Sequence, residues 1–150
     1  MSIQYVRGDL LASSADILVI PVNCVGVAGK GLVLQAKQQY PRWFHVYVSL
    51  CQMGRLVVGR PHLHLNPSDT SASYILSFPT EQDWRFPSQL EYIHAGFQYL
   101  LATVGPWVLP SKVMAIPQLG CGAGGLSWSE VQPVMEYYLS QLRCTTLIYV

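Results

Sequence analysis

The apolar run Ile17-Leu18-Val19-Ile20 passes almost directly into Asn23-Cys24-Val25-Gly26-Val27-Ala28-Gly29-Lys30-Gly31, and no other feature narrows the possible folds so sharply. A strand that is apolar without alternation suits a sheet centre covered on both faces. The glycines then provide a loop whose backbone reaches positive φ and lets a ligand approach without a Cβ in the way. A helix-compatible segment runs on from about Gly29 to Gln39. Its first amides are unpaired and partly positive, which suits a phosphate. The same design returns in Pro117-Gln118-Leu119-Gly120-Cys121-Gly122-Ala123-Gly124-Gly125-Leu126-Ser127-Trp128. Two loops of this kind suggest one anionic ligand held between them. The plainer reading is that the glycines only shape tight turns, but each loop is longer and richer in glycine than a turn requires.

A nucleoside-triphosphate P-loop is excluded. That motif needs four residues between its first Gly and a Gly-Lys pair, then Ser or Thr for magnesium. Here Gly26 stands two residues before Gly29-Lys30, and Gly31 follows the lysine.

The chain of 150 residues is expected to form a single domain over its whole length. It is 51% hydrophobic and 11% charged, far less charged than a typical soluble domain, so some apolar surface is expected to face a partner. A net charge of +1 gives no global field for nucleic acid or an anionic membrane, and the nearest basic patch (Arg55, Arg60, His62, His64) is thin. Cys24, Cys51, Cys121 and Cys144 lack zinc-finger spacing and are expected to be thiols of a cytoplasmic protein. Neither a secretory leader nor a membrane-spanning segment is expected, and no contact with a membrane.

Strands are expected at Ile3 to Val6, Ile17 to Val22, His62 to Leu65, Tyr74 to Phe78, Val113 to Ile116 and Thr145 to Tyr149. The turn-forming Asn66-Pro67-Ser68-Asp69 argues for an antiparallel pair, and Pro79 to Pro87 reads as a loop. Pro41 opens a helix ending near Gln52. Ser88-Gln89-Leu90-Glu91 and Ser127-Trp128-Ser129-Glu130 read as capping boxes that start two more. Strands alternating with helices give an α/β class: a three-layer α/β/α sandwich with a mixed, mainly parallel sheet, its ligand outside the strand carboxyl ends.

These residues resemble a macrodomain, the ADP-ribose-binding α/β module. The Gly8-Asp9-Leu10 turn, Asn23 at a strand end and both glycine loops stand in that family's order. Val22 to Gly31, Tyr40-Pro41, Phe78-Pro79-Thr80, Trp84-Arg85 and the second loop with Trp128 are similar to one branch, the DarG-type antitoxins and terminal ADP-ribose glycohydrolases. The resemblance covers about Tyr5 to the end. It implies that Asp9, beside Leu10, accepts from the adenine amino group; a helix N-cap is the competing role for Asp9. It implies that amides of Val25, Gly26, Val27 and Gly29, with those of Gly122, Ala123, Gly124, Gly125 and Leu126 after Gly120 and Cys121, wrap the diphosphate. Asn23 would hold the distal ribose, with Thr80 and Gly31 also on the ligand. Lys30 is either a phosphate counter-charge or a solvated lysine, and Trp84 either lines the distal end or packs.

Three departures matter: Gly124 stands where the protein glycohydrolases place an Asp, Ala123 where antitoxin-like members usually carry Asn, and the third concerns a lysine. Hydrolytic members of the branch carry a lysine after Phe-Pro-Thr that attacks the anomeric carbon; here that residue is Glu81, and a carboxylate cannot form an imine. Three readings follow: a module that binds ADP-ribose or ADP-ribosylated DNA or protein, a glycohydrolase using Glu81 or Asp83 as general base or the substrate phosphates to position the water, or a scaffold that lost its ligand. The resemblance implies no cofactor besides the ligand ADP-ribose, a monomer, and a toxin ADP-ribosyltransferase as partner.

Overall fold

The computed structural model describes residues 2–65, 72–106 and 109–150. Six strands, β1 (Ile3–Val6), β2 (Ile17–Asn23), β3 (His62–Leu65), β4 (Tyr74–Glu81), β5 (Val113–Pro117) and β6 (Thr145–Tyr149), form one sheet in the order β1-β6-β5-β2-β4-β3. Every neighbouring pair is parallel except β3 with β4. The expected antiparallel pairing is therefore present; Asn66 to Asp69, the turn expected to join it, lies outside the described residues.

Residues of β2 alternate between two cores, which explains the unbroken apolar run. Ile17 and Val19 face a cluster with Phe78, Met114 and Ile116 under α3 (Leu90–Ala102) and α4 (Trp128–Leu139). Leu18, Ile20 and Val22 face the other, with Trp43 and Tyr47, under α1 (Gly31–Gln39) and α2 (Pro41–Gln52). Each large apolar side chain buried in this way contributes about 1.5–3 kcal/mol. Gly96 lets α3 settle onto β4, since a Cβ there would stand 2.4 Å from the Phe78 ring.

Three expectations need correction. β4 runs on to Glu81, paired with Asn23, so the segment from Pro79 is strand before it is loop and Glu81 is a strand-end residue. Neither capping box forms. The cap of α3 is Gln89, while the Ser88 amide donates to the Gly124 carbonyl at 2.9 Å. Ser127 does cap α4 in backbone conformation, but its hydroxyl pairs with that of Ser129. At Ser88 the tertiary contact takes the amide that Glu91 would have reached and the hydroxyl is left enclosed without a partner, while at Ser127 a neighbouring hydroxyl competes.

The sheet opens between β2 and β5. Their pairing covers only Ile17↔Met114 and Leu18↔Ala115, after which the strands diverge toward their carboxyl ends. Each carries a proline in the diverging stretch, Pro21 and Pro117, with no amide hydrogen to offer across the gap. The chain leaves β2 for one helical layer and β5 for the other, so the opening is a topological switch point.

Candidate functional site

A cleft of about 750 Å³ occupies this opening. Pro21, Asn23, Val27 and Gly29 to Val33 line one wall, and Pro117, Gln118, Gly120 and Gly122 to Gly124 the other. Thr80, Glu81 and Trp84 close the end where β4 finishes. Both glycine loops thus border one cavity.

The first loop is organised by Asn23. Its Oδ1 accepts from the amides of Val25, Gly26 and Val27 at 3.1, 3.0 and 3.2 Å, and its Nδ2 donates to the Val27 carbonyl at 2.8 Å. The buried Tyr47 hydroxyl lies 2.9 Å from both that Oδ1 and the Asn23 carbonyl oxygen. Gly26 takes φ +93° to close the turn, a conformation that a residue with a Cβ adopts only under strain. Three amides expected on the diphosphate are therefore committed inward, and Asn23 serves the loop in this structure before it serves any ribose. The donors come a few residues later. Lys30 begins α1 without a side-chain cap, leaving the first-turn amides of Gly31, Leu32 and Val33 at the cleft wall with no intrahelical partner. This is an anion site by geometry and by helix dipole.

The second loop is held by its own backbone. Amides of Cys121, Gly125 and Leu126 donate to Gln118, Gly122 and Gly120 carbonyls. Those of Gly122, Ala123 and Gly124 donate to no protein acceptor among the described residues, and all three residues line the cleft. Three successive outward amides make a nest for an anion. Gly124 is obligatory here, because a Cβ would stand 2.3 Å from Ser88 Oγ and 2.6 Å from the Gly120 carbonyl. Cys121, Gly125 and Leu126 brace the nest from behind; they and Val25 and Gly26 are not lining residues.

Asp9 caps a 3-10 turn at Leu10–Ala12, accepting from the Leu11 amide at 3.0 Å, while Leu10 is buried. Neither borders the cleft. Trp84 is half exposed at the rim and does not pack into the core, and Trp128 packs against the core beside α4.

Glu81 is half buried, and its Oε2 is enclosed with no hydrogen-bond partner. Desolvation raises its carboxyl above the usual range; the Lys30 ammonium pulls it back, and the Asp83 carboxylate pushes it up again. Asp83 itself is held down at about 2 by hydrogen bonds from Arg85. Burial pushes the Cys24 and Cys51 thiols up to about 11 and raises Cys121 as well, which leaves all three as protonated thiols with little nucleophilic character.

Pro21, Leu32, Val33, Pro117 and Gln118 were not foreseen as lining residues. The two prolines were a readable signal, since proline inside a central strand marks a place where pairing fails. Nothing in the sequence marked Gln118.

Comparison with known proteins bears on the family and the fold. A Macro domain family profile matches residues 19–135. The chain is 37% identical over 141 residues to a DNA ADP-ribosyl glycohydrolase of Thermus aquaticus, a match covering 94% of this chain and 39% of that protein. It is 32% identical over 163 aligned positions to a DNA ADP-ribosyl transferase-DNA ADP-ribosyl glycohydrolase fusion protein of Thermosipho africanus, covering 99% of this chain and 42% of the relative. The chain thus spans about two fifths of the length of these curated relatives. Among solved structures, the macrodomain of Mycobacterium tuberculosis DarG superposes with a TM-score of 0.91 at 36% identity, covering 98% of this chain and 96% of that one. Thermosipho africanus DarTG in complex with ADP-ribose gives 0.90 at 34%, covering 99% and 41%.

Proposed function

The chain belongs to the Macro domain family, and from that premise we propose that its cleft binds ADP-ribose, free or attached to DNA. The carrying observation is the convergence of two sets of amide donors without a protein acceptor, the first turn of α1 and Gly122 to Gly124, on one cavity. A diphosphate is the group that satisfies both at once, and Lys30 adds a cation on the same wall. The solved relative in complex with ADP-ribose supports the ligand, and the glycohydrolase relatives support DNA as the macromolecule. Thr80 and Glu81 then face the end of the ligand that carries the modified group. Asp9, beyond the cleft, is assigned the adenine amino group. The fused relative supports an ADP-ribosyltransferase as partner. Among the described residues no helix is long and apolar enough to cross a membrane.

Titration calorimetry with ADP-ribose tests this directly, alongside amide spectra. Binding should move the resonances of residues 29–33 and 122–124 and leave those of 25–27 nearly still. Saturating ligand without any such shift removes the assignment.

One observation favours a second reading, in which the bound ADP-ribose is also cleaved from its carrier. Glu81 presents an enclosed, unpartnered carboxyl oxygen at the distal end of the cleft, with a raised pKa. A carboxylate so placed can take a proton from the water that attacks the anomeric carbon. Release of ADP-ribose from an ADP-ribosylated oligonucleotide by the parent, abolished in Glu81→Gln, is the expected result; equal release by both proteins assigns the chemistry elsewhere.

A further inference from the structure

The strap after β4 is built to show an aromatic face. Trp84 is 52% exposed and Phe86 60%, although an apolar ring of that size normally finds cover. The exposure is not slackness. The Asp83 carboxylate accepts from the Arg85 amide at 2.9 Å, from Nε at 2.9 Å and from a terminal guanidinium nitrogen at 2.6 Å, and the Asp83 carbonyl accepts from Phe86 at 3.0 Å. The strap is tied at both ends to the glycine loops, by Cys24 N–H to the Gln82 carbonyl at 3.2 Å and Ser88 N–H to the Gly124 carbonyl at 2.9 Å. The strap backbone therefore carries Trp84 at the lip of the cleft, and the one ring interaction it makes among the described residues is with the Arg85 guanidinium, 5.8 Å from its centroid.

Charge around the ring has a direction. The Arg85 side chain is 63% exposed and its Asp83 partner 13%, so the strap hides its acid and shows its base. Lys30 adds an exposed ammonium across the cleft. A flat aromatic face beside outward cations matches a nucleobase with its phosphodiester: stacking tolerates any base, and the cations meet the backbone. An aliphatic or acidic side chain as carrier would gain nothing from the ring. Nor could a base inside a duplex reach it without leaving its stack.

We propose that Trp84 is the stacking platform for the nucleobase that carries the ADP-ribose, or its immediate neighbour, in single-stranded DNA, with Arg85 directed at the adjoining phosphate. This rests on the ADP-ribose reading above and adds the subsite beyond the distal ribose. It makes Trp84 a specificity residue: the preference for DNA over protein carriers resides in the strap, outside the diphosphate cradle.

The test compares three probes on the intact chain: free ADP-ribose, an ADP-ribosylated single-stranded oligonucleotide and an ADP-ribosylated peptide. The quantity read is the ratio of each conjugate's affinity to that of free ADP-ribose, so a general disturbance of the cleft cancels. In the parent the oligonucleotide should bind at least about 5-fold tighter than free ADP-ribose, since one base stacked on an aromatic ring is worth about 1–3 kcal/mol. Trp84→Ala should cancel that advantage, Trp84→Phe should keep most of it, and the peptide ratio should stay near one in all three proteins. The proposal is overturned if the oligonucleotide ratio is the same in parent and Trp84→Ala, or if the peptide shows the same gain and the same loss. A parent that binds no free ADP-ribose sinks the underlying reading, and that outcome is seen before any variant is made.

Discussion

The two glycine loops look alike in composition and are held by opposite means. Residues 23–31 fold around a side chain: Asn23 gathers three amides and a tyrosine hydroxyl, and the loop's outward donors are displaced to the start of α1. Residues 120–126 are held by backbone turns and by the strap at Ser88, and their outward donors lie in the middle of the loop. Glycine content therefore shows where a backbone can approach a ligand, but not which amides are free to meet it. That is settled by what else in the fold competes for them.

The contrast is sharpest at Asn23. Asn23→Ala removes the side-chain acceptor of three part-buried loop amides, while the Tyr47 hydroxyl keeps the residue-23 carbonyl; each donor orphaned in a buried setting costs about 1–3 kcal/mol. A stability loss of roughly 3–5 kcal/mol in urea melts is expected, with ADP-ribose affinity lost by more than about 100-fold. If instead the variant is as stable as the parent, the first loop is not organised by that side chain.

The second loop should break sterically. Gly124→Ala sets a Cβ against Ser88 Oγ and the Gly120 carbonyl and should cost about 1–3 kcal/mol, as overpacking does. Ser88→Gly in the same chain should restore only part of it, because the contact with the backbone carbonyl remains. Full rescue would place the whole conflict at Ser88.

Tyr47→Phe is a milder probe of the first loop. Asn23 keeps its amide donors, so a loss of about 1 kcal/mol is expected for the one hydrogen bond removed. The second loop's amide spectrum should be unchanged.

Glu81 gives the smallest effect and a pH signature. Its pKa is raised, so the neutral acid persists to higher pH than in an ordinary carboxyl group. The neutral form does not repel a diphosphate and the carboxylate does. Affinity for ADP-ribose should therefore be highest below the Glu81 titration and fall as pH rises through it. Glu81→Gln should bind a few-fold tighter at neutral pH and flatten that slope, which calorimetry across pH 4.5 to 8 would show. Stability follows the same sign: a carboxyl whose folded pKa is raised contributes below its unfolded pKa and loses that contribution as pH rises.

Much of this was legible in the residues. The unbroken apolar run of β2 and the proline that opens α2 are local patterns, and local patterns follow chain geometry. The sandwich and the pairing of the two loops across one cleft followed from them. The capping boxes were legible but misleading: Ser88 has the right neighbours in sequence and a better partner in space, the Gly124 carbonyl. The end of β4 was misread as loop for a related reason, since Phe78-Pro79-Thr80-Glu81 looks unlike a strand until β2 lies alongside it.

The order of apolar runs, glycines and prolines determined the layers, the parallel sheet and the place where it opens, because each is a statement about one segment's backbone. The free amides, the uncompensated oxygen of Glu81 and the outward ring of Trp84 were decided only when distant segments met. A hydrogen-bond donor is available only if no nearer acceptor claims it, and a carboxyl is costly only if its surroundings exclude water. The first condition is settled partly within a few residues, as at Asn23 and in the turns of residues 120–126, and the second by segments that stand tens of residues apart along the chain.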